Sequence, residues 1–150
     1  MNAPAPVAAL TVADIVDADV EAVVALWQRC GLTRPWNDPA GDIALARRNP
    51  NSTVLVGRTD GAIVATAMVG HDGHRGWVYY VAVDPDCRMK GFGRAMMDAA
   101  EAWLRAADVP KLQLLVRREN AKAGAFYQSI GYEEADTIVF AKWIDGRAKT

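Results

Sequence analysis

Apolar positions along the chain alternate, then recur at three-and-four spacing, then alternate again, and each change of period marks a change of element. Leu10 and Val12, then Ala13 and Ile15, predict a short first strand, preceded by a flexible Ala/Pro arm over residues 1–9. Asp17 or Asp19 is placed to cap a helix whose Val20, Val23, Val24 and Trp27 line one face, and Gly31 ends it. After a turn-rich link, Asp38 is set to cap a second helix with Pro39 at its first position, stopping near Asn49-Pro50. Strands over 53–58, 62–69 and 77–83 follow, the first two joined by the hairpin pair Asp60-Gly61. The polar loop His71-Asp72-Gly73-His74-Arg75-Gly76 separates the second from the third.

Beyond Asp84-Pro85 helical spacing returns. Met96, Ala99, Ala100, Trp103 and Leu104 are apolar, while Arg94 with Asp98 and Glu101 with Arg105 form i,i+4 charge pairs on the other face. Pro110 closes this helix and residues 112–116 read as a buried strand. Asn120 caps a last helix with Ala123, Phe126, Tyr127 and Ile130 on one face and Gly131 behind it, and a strand over 137–143 ends the fold. The order β-α-α-β-β-β-α-β-α-β predicts an α/β (α+β) fold: a mixed, mostly antiparallel central sheet flanked by four helices. Its ligand is expected at the carboxyl ends of the strands. No repeat or linker divides the chain, so residues 10–150 are expected to form a single domain.

Composition narrows the class without naming a function. With 51% apolar and 23% charged residues in 150, the chain has ordinary globular content. Seventeen Lys and Arg against 18 Asp and Glu leave a net charge of -1, which argues against a dedicated nucleic-acid binder. The longest apolar stretch, residues 61–70, is half of the ~20 residues a spanning helix needs, so no membrane partner is expected. The first residues lack a cationic segment and Asp14 interrupts the apolar run, which disfavours a signal peptide. Cys30 and Cys87 are then expected to be reduced thiols in the cytoplasm.

The chemistry concentrates in Arg88-Met89-Lys90-Gly91-Phe92-Gly93-Arg94, between a strand and a long helix. Helix N-terminal amides are unpaired and partly positive, and glycine lets a phosphate approach them. A diphosphate fits such a loop; so does a plain tight turn with solvated cations. The dinucleotide pattern needs Gly or Ala at Met96, and no Gly-Lys-Ser/Thr exists, so neither common nucleotide motif applies. His71 and His74 lack a third convincing ligand, and no metal is expected.

Arg88-x-x-Gly91-x-Gly93 after Val81-Ala82-Val83, followed by Asn120 and by Phe126-Tyr127-x-x-x-Gly131-Tyr132, resembles the GNAT superfamily of acyl-CoA-dependent N-acetyltransferases. The segments 34–39 and 72–76 look like its bacterial YpeA-type subgroup. The resemblance implies a GNAT-like fold, acetyl-CoA as acetyl donor, and direct transfer to a primary amine of a small molecule or a peptide or protein N-terminus. It implies that Arg88, Met89, Lys90, Gly91, Phe92, Gly93 and Arg94 surround the pyrophosphate, chiefly through backbone amides. Val81, Ala82 and Val83 match a strand that bulges and pairs with the pantetheine arm, and a spare amide there would polarise the thioester carbonyl. Asn120 matches a pantetheine-side asparagine, beside its plain reading as an N-cap. Tyr127 matches the general acid that protonates the departing thiolate, against its reading as a packing residue.

The acceptor side is thinner. Arg34, Trp36, His74 and Tyr79 are candidate substrate residues, with an Arg fork suited to a carboxylate. Deprotonating a lysine-like amine at pH 7 costs about 4.6 kcal/mol, against about 1 kcal/mol for an α-amine, so a base matters most for the former. Some relatives carry a glutamate where this chain has Leu115. Glu119, His71, Asp72, His74, Tyr79, Tyr80 or a water chain are left for that role. The missing glutamate also leaves room for a non-catalytic acyl-CoA-binding or regulatory module. Residues 132–150 have space for one strand where many relatives have two, so the sheet edge is either shortened or completed by a second subunit in a homodimer.

Overall fold

The structure, a computed structural model, describes residues 9–147. The N-terminal arm lies outside the described residues except for Ala9, which is exposed. The elements are β1 (Thr11–Asp14), α1 (Val20–Arg29), α2 (Pro39–Arg47), β2 (Ser52–Thr59), β3 (Ala62–His71), β4 (Gly76–Val83), α3 (Phe92–Ala106), β5 (Leu112–Gln113) and α4 (Ala121–Ser129). They fall into two compact units. One holds the described residues to Thr33 with Asn37–Leu114; the other holds Arg34–Trp36 with the described residues from Leu115.

The first unit is a five-stranded sheet in sequential order, antiparallel from β1 to β4 and closed by the parallel pair β4·β5. Asp60 and Gly61 both take positive φ, 50° and 80°, so the β2–β3 turn has the handedness that matches strand twist. On one face α1 and α2 bury Val23, Leu26, Trp27, Ile43 and Ala46 against Val54, Val56 and Ala82. On the other α3 buries Phe92, Met96, Met97, Ala100 and Leu104, an i,i+4 ladder with its polar side outward. The start of α2 follows the sequence signal: Asp38 accepts from the Gly41 amide at 3.0 Å with Pro39 behind it. Asp19 stands at the N-cap position of α1 but caps none of its amides; its carboxylate reaches back to the Val16 amide at 3.0 Å, before a short 3-10 turn.

Two expectations are corrected at the carboxyl end. The strand over 112–116 is only Leu112–Gln113, and Leu115 and Val116 are exposed rather than buried. Residues 137–143 form no strand: Ile138 and Val139 are exposed and Phe140 is 90% exposed. A strand exists only by pairing its backbone, and among the described residues nothing pairs with this stretch. Its apolar pattern therefore has no ladder to join.

The second unit contains α4, capped by Asn120, whose carboxamide oxygen accepts from the Ala123 amide at 3.1 Å. Gly131, at φ 101°, lets the Tyr132 amide return to the Tyr127 carbonyl at 2.9 Å. Arg147 ties the ends of this unit, donating to the Trp36 carbonyl at 2.8 Å and lying over the Trp143 ring.

Candidate functional site

β4 sets the geometry. Its parallel pairing with β5 ends at Trp77↔Gln113, so from Val78 to Val83 it pairs, among the described residues, with β3 alone. Within that length the register slips by one: Met68 faces Tyr79 and Thr66 faces Ala82, which leaves Tyr80 and Val81 together opposite Ala67. This is a β-bulge. Tyr80 carries it in the left-handed region, φ 51°, where a non-glycine residue is held at a cost of about 1–2 kcal/mol.

Past the bulge, the Asp84 amide donates to the Val64 carbonyl at 2.7 Å. Antiparallel pairing alternates, so Ala82 also faces β3 and the amides of Val81 and Val83 turn to the open edge. The strand exit is fixed from several sides. Arg29 pairs with Asp84 at 2.8 Å, the Cys30 thiol donates to the Val83 carbonyl at 3.3 Å, and the Asp84 side chain caps a short 3-10 turn at Pro85–Cys87. Burial pushes the Cys30 thiol up, so it stays protonated and is no competing nucleophile.

The loop then enters α3. Arg88 is extended, Met89 is left-handed at φ 66°, and Gly91 caps the helix at φ 77°, a conformation glycine adopts without cost. The first turn of α3 holds no acidic residue, in contrast to α1 with Glu21 and α2 with Asp42, and no side chain caps it, in contrast to α2. Arg88, Lys90 and Arg94 are exposed around this end. Phe92 is buried, so its ring anchors the helix start and only its amide belongs to the loop. Between the strand edge and the helix end, separated by residues 84–91, lie unpaired amides and exposed cations, groups suited to a ligand with an amide-bearing arm and a diphosphate.

Of the acceptor candidates, Tyr79 and His74 lie in this unit and Arg34 and Trp36 in the other. Tyr79 is half exposed on β4, while His74 sits in a turn held by Asp72, whose Oδ1 accepts from the His74 and Arg75 amides at 2.9 and 2.8 Å. Those bonds hold the Asp72 carboxyl below its usual range, which makes it a turn residue and a poor base. Tyr80 is withdrawn as well: its hydroxyl donates to Asp42 Oδ2 at 2.7 Å, and burial, followed by that carboxylate, pushes it far up. In the second unit Tyr127 meets Phe126 and Tyr132 edge to face at 5.0 and 6.0 Å, and burial raises its hydroxyl, which keeps the proton on the phenol. No group of three or more His, Cys, Asp and Glu gathers as a metal site among the described residues.

The model of the acetyltransferase (GNAT) family matches residues 13–132. The chain belongs to the GNAT acetyltransferase family. It is 42% identical over 125 residues to an acetyltransferase of Yersinia enterocolitica, covering 83% of this chain and 89% of that one. Among solved structures it resembles the ribosomal-protein-S18-alanine N-acetyltransferase of Escherichia coli, at 28% identity and TM-score 0.73, over 85% of this chain and 79% of that one. It also shares the fold of the aminoglycoside N-acetyltransferase AAC(6′)-Iy, solved with CoA and with a CoA bisubstrate analogue; the analogue complex gives TM-score 0.78 at 14% identity, over 90% of this chain and 98% of that one. As a GNAT member the chain uses acetyl-CoA as donor. No helix among the described residues is long and apolar enough to cross a membrane.

The sequence reading of this GNAT site missed what stands behind the bulge. Trp27 and Tyr80 stack at 3.7 Å with planes 5° apart, Trp27 Nε1 donates to Thr66 Oγ1 at 2.8 Å, and Thr66 Oγ1 donates to the Tyr80 carbonyl at 2.8 Å. Thr66 reads in sequence as one polar residue inside Val64-Ala65-Thr66-Ala67, and that break in an apolar run was the available signal.

Proposed function

We propose that this chain transfers acetyl from acetyl-CoA to a primary amine by direct attack, residues 10–150 acting as one domain in the cytoplasm. The observation that carries the reading is the half-open, bulged β4, whose free edge runs into a helix start without acids. The donor supplies the activated acetyl group. The amides of residues 88–94, with the Arg88, Lys90 and Arg94 charges, hold the pyrophosphate; those of Val81 and Val83 align the pantetheine, and the Val81 amide polarises the thioester carbonyl. Asn120 caps α4 and, as its family position implies, also faces the pantetheine. Tyr127 gives its proton to the leaving thiolate; its half-buried phenol still carries that proton at neutral pH. Arg34, Trp36, His74 and Tyr79 are assigned to the amine side.

The family position of Tyr127 makes it the test residue. Tyr127→Phe is expected to lower acceptor-dependent thiol release by roughly 10² to 10⁴ while leaving the Kd for CoA within about twofold. Unchanged turnover would remove the acid role. CoA bound tightly by the wild type with no release across amino acids, aminoglycosides and peptide N-termini would favour a binding module instead.

A further inference from the structure

Thr66 is fully buried in the middle of β3, and its hydroxyl has two partners. The direction of the chain is fixed by chemistry. An indole N–H only donates, so Thr66 accepts from Trp27 and its single hydrogen must go to the Tyr80 carbonyl. Trp27 is buried too, so neither group has water as an alternative partner. The carbonyl at the end of this relay belongs to the residue that carries the bulge, at φ 51°. The ring of that residue is clamped on Trp27 at 3.7 Å and its hydroxyl on Asp42 at 2.7 Å.

What the relay protects is register. Without the bulge, β4 beyond Tyr79 would pair one residue out of step with β3. A one-residue slip exchanges the two edges of a strand, so Ala82 would turn its amide outward while Val81 and Val83 turned theirs into the sheet. We propose that Thr66 is a positioning residue for the pantetheine end of the donor: its hydroxyl, held by Trp27, locks the Tyr80 carbonyl and so fixes which β4 amides reach the open edge. The proposal rests on the reading of that edge as the donor site.

Calorimetric titration with two probes tests it: CoA, and 3′-phosphoadenosine 5′-diphosphate, which has the diphosphate but no pantetheine. Thr66→Val keeps volume and β-branching and removes the relay. It is expected to weaken CoA about tenfold, the scale of one buried hydrogen bond left unmade, and to change the fragment by less than about twofold. Thr66→Ser restores CoA to within about threefold of wild type, and Trp27→Phe, which keeps a stacked ring without the N–H, weakens CoA about threefold. Equal weakening of both probes by Thr66→Val, or none, overturns the proposal by showing a general packing role. Should Thr66→Val not fold, Trp27→Phe decides: unchanged CoA affinity overturns the relay. A wild-type protein that binds the fragment but gains nothing from the pantetheine of CoA overturns the donor-edge reading itself, and this proposal with it.

Discussion

At the scale of single residues, Asp19 shows how one buried carboxylate settles a local fold and a pH dependence together. It accepts from the Val16 amide and pairs with Arg58, and the Arg58 hydrogen bond, against the opposing effect of burial, holds its carboxyl below the usual range. The folded value lies below the unfolded one, about 3.9, so the contribution is complete above that pH and fades as pH falls through the folded value. Asp19→Asn keeps the shape and loses the charge. Urea unfolding at pH 7 is expected to show a loss of about 2 kcal/mol, typical of a hydrogen bond to a charged group, and the gap should narrow toward pH 3. An equal gap at both pH values would remove the charge from the account. The sequence marks Asp19 as belonging to the start of α1, though its carboxylate caps the preceding Val16 amide and not the helix; its partner Arg58, 39 positions away, was not legible, because nothing local encodes a contact between distant segments.

Between elements, the decisive positions are those where a side chain is missing. A Cβ on Gly76 would lie 2.4 Å from Leu104 Cδ1, so α3 packs on the start of β4 only over glycine. Gly76→Ala is expected to cost about 1–3 kcal/mol, and in combination with Leu104→Ala to cost less than the two changes summed, because the second removes the clash made by the first. Additive losses in a double-mutant cycle would refute that contact. The element pattern itself was largely readable, since each of the nine α-helices and strands among the described residues follows a periodicity, cap or turn residue in place. What failed, residues 114–116 and 137–143, failed for one reason: β-pattern residues specify a willingness to pair and say nothing of whether an edge is there to receive them. The bulge was expected through the family resemblance alone, and the residue that makes it was not legible, for the opposite reason. Its left-handed residue is a tyrosine rather than a glycine, and its support comes from α1, α2 and β3.

For the molecule as a whole, a net charge of -1 coexists with recognition of a strongly anionic donor. Arg88, Lys90 and Arg94 stand around a helix end whose first turn has no acid, and in the proposed site they make the attraction local rather than spread over the surface. Charges this exposed are screened over about 8 Å at physiological ionic strength. The KM for acetyl-CoA is therefore expected to rise with added salt, and Lys90→Ala to raise it about threefold at low ionic strength and by less at 0.5 M. A salt-independent effect of the substitution would mean that Lys90 acts by contact geometry and not by charge.

The half-open β4 carries a consequence for how this enzyme family member tolerates change. Its edge offers backbone amides, while the side chains of Val81 and Val83 supply only volume. Nineteen of the twenty amino acids carry that same N–H, and only proline removes it. On the proposed reading of that edge, the donor is read by a part of the polymer that most codon changes leave untouched, and the residues free to drift toward a new acceptor are the neighbours whose side chains, unlike these, have chemistry to offer.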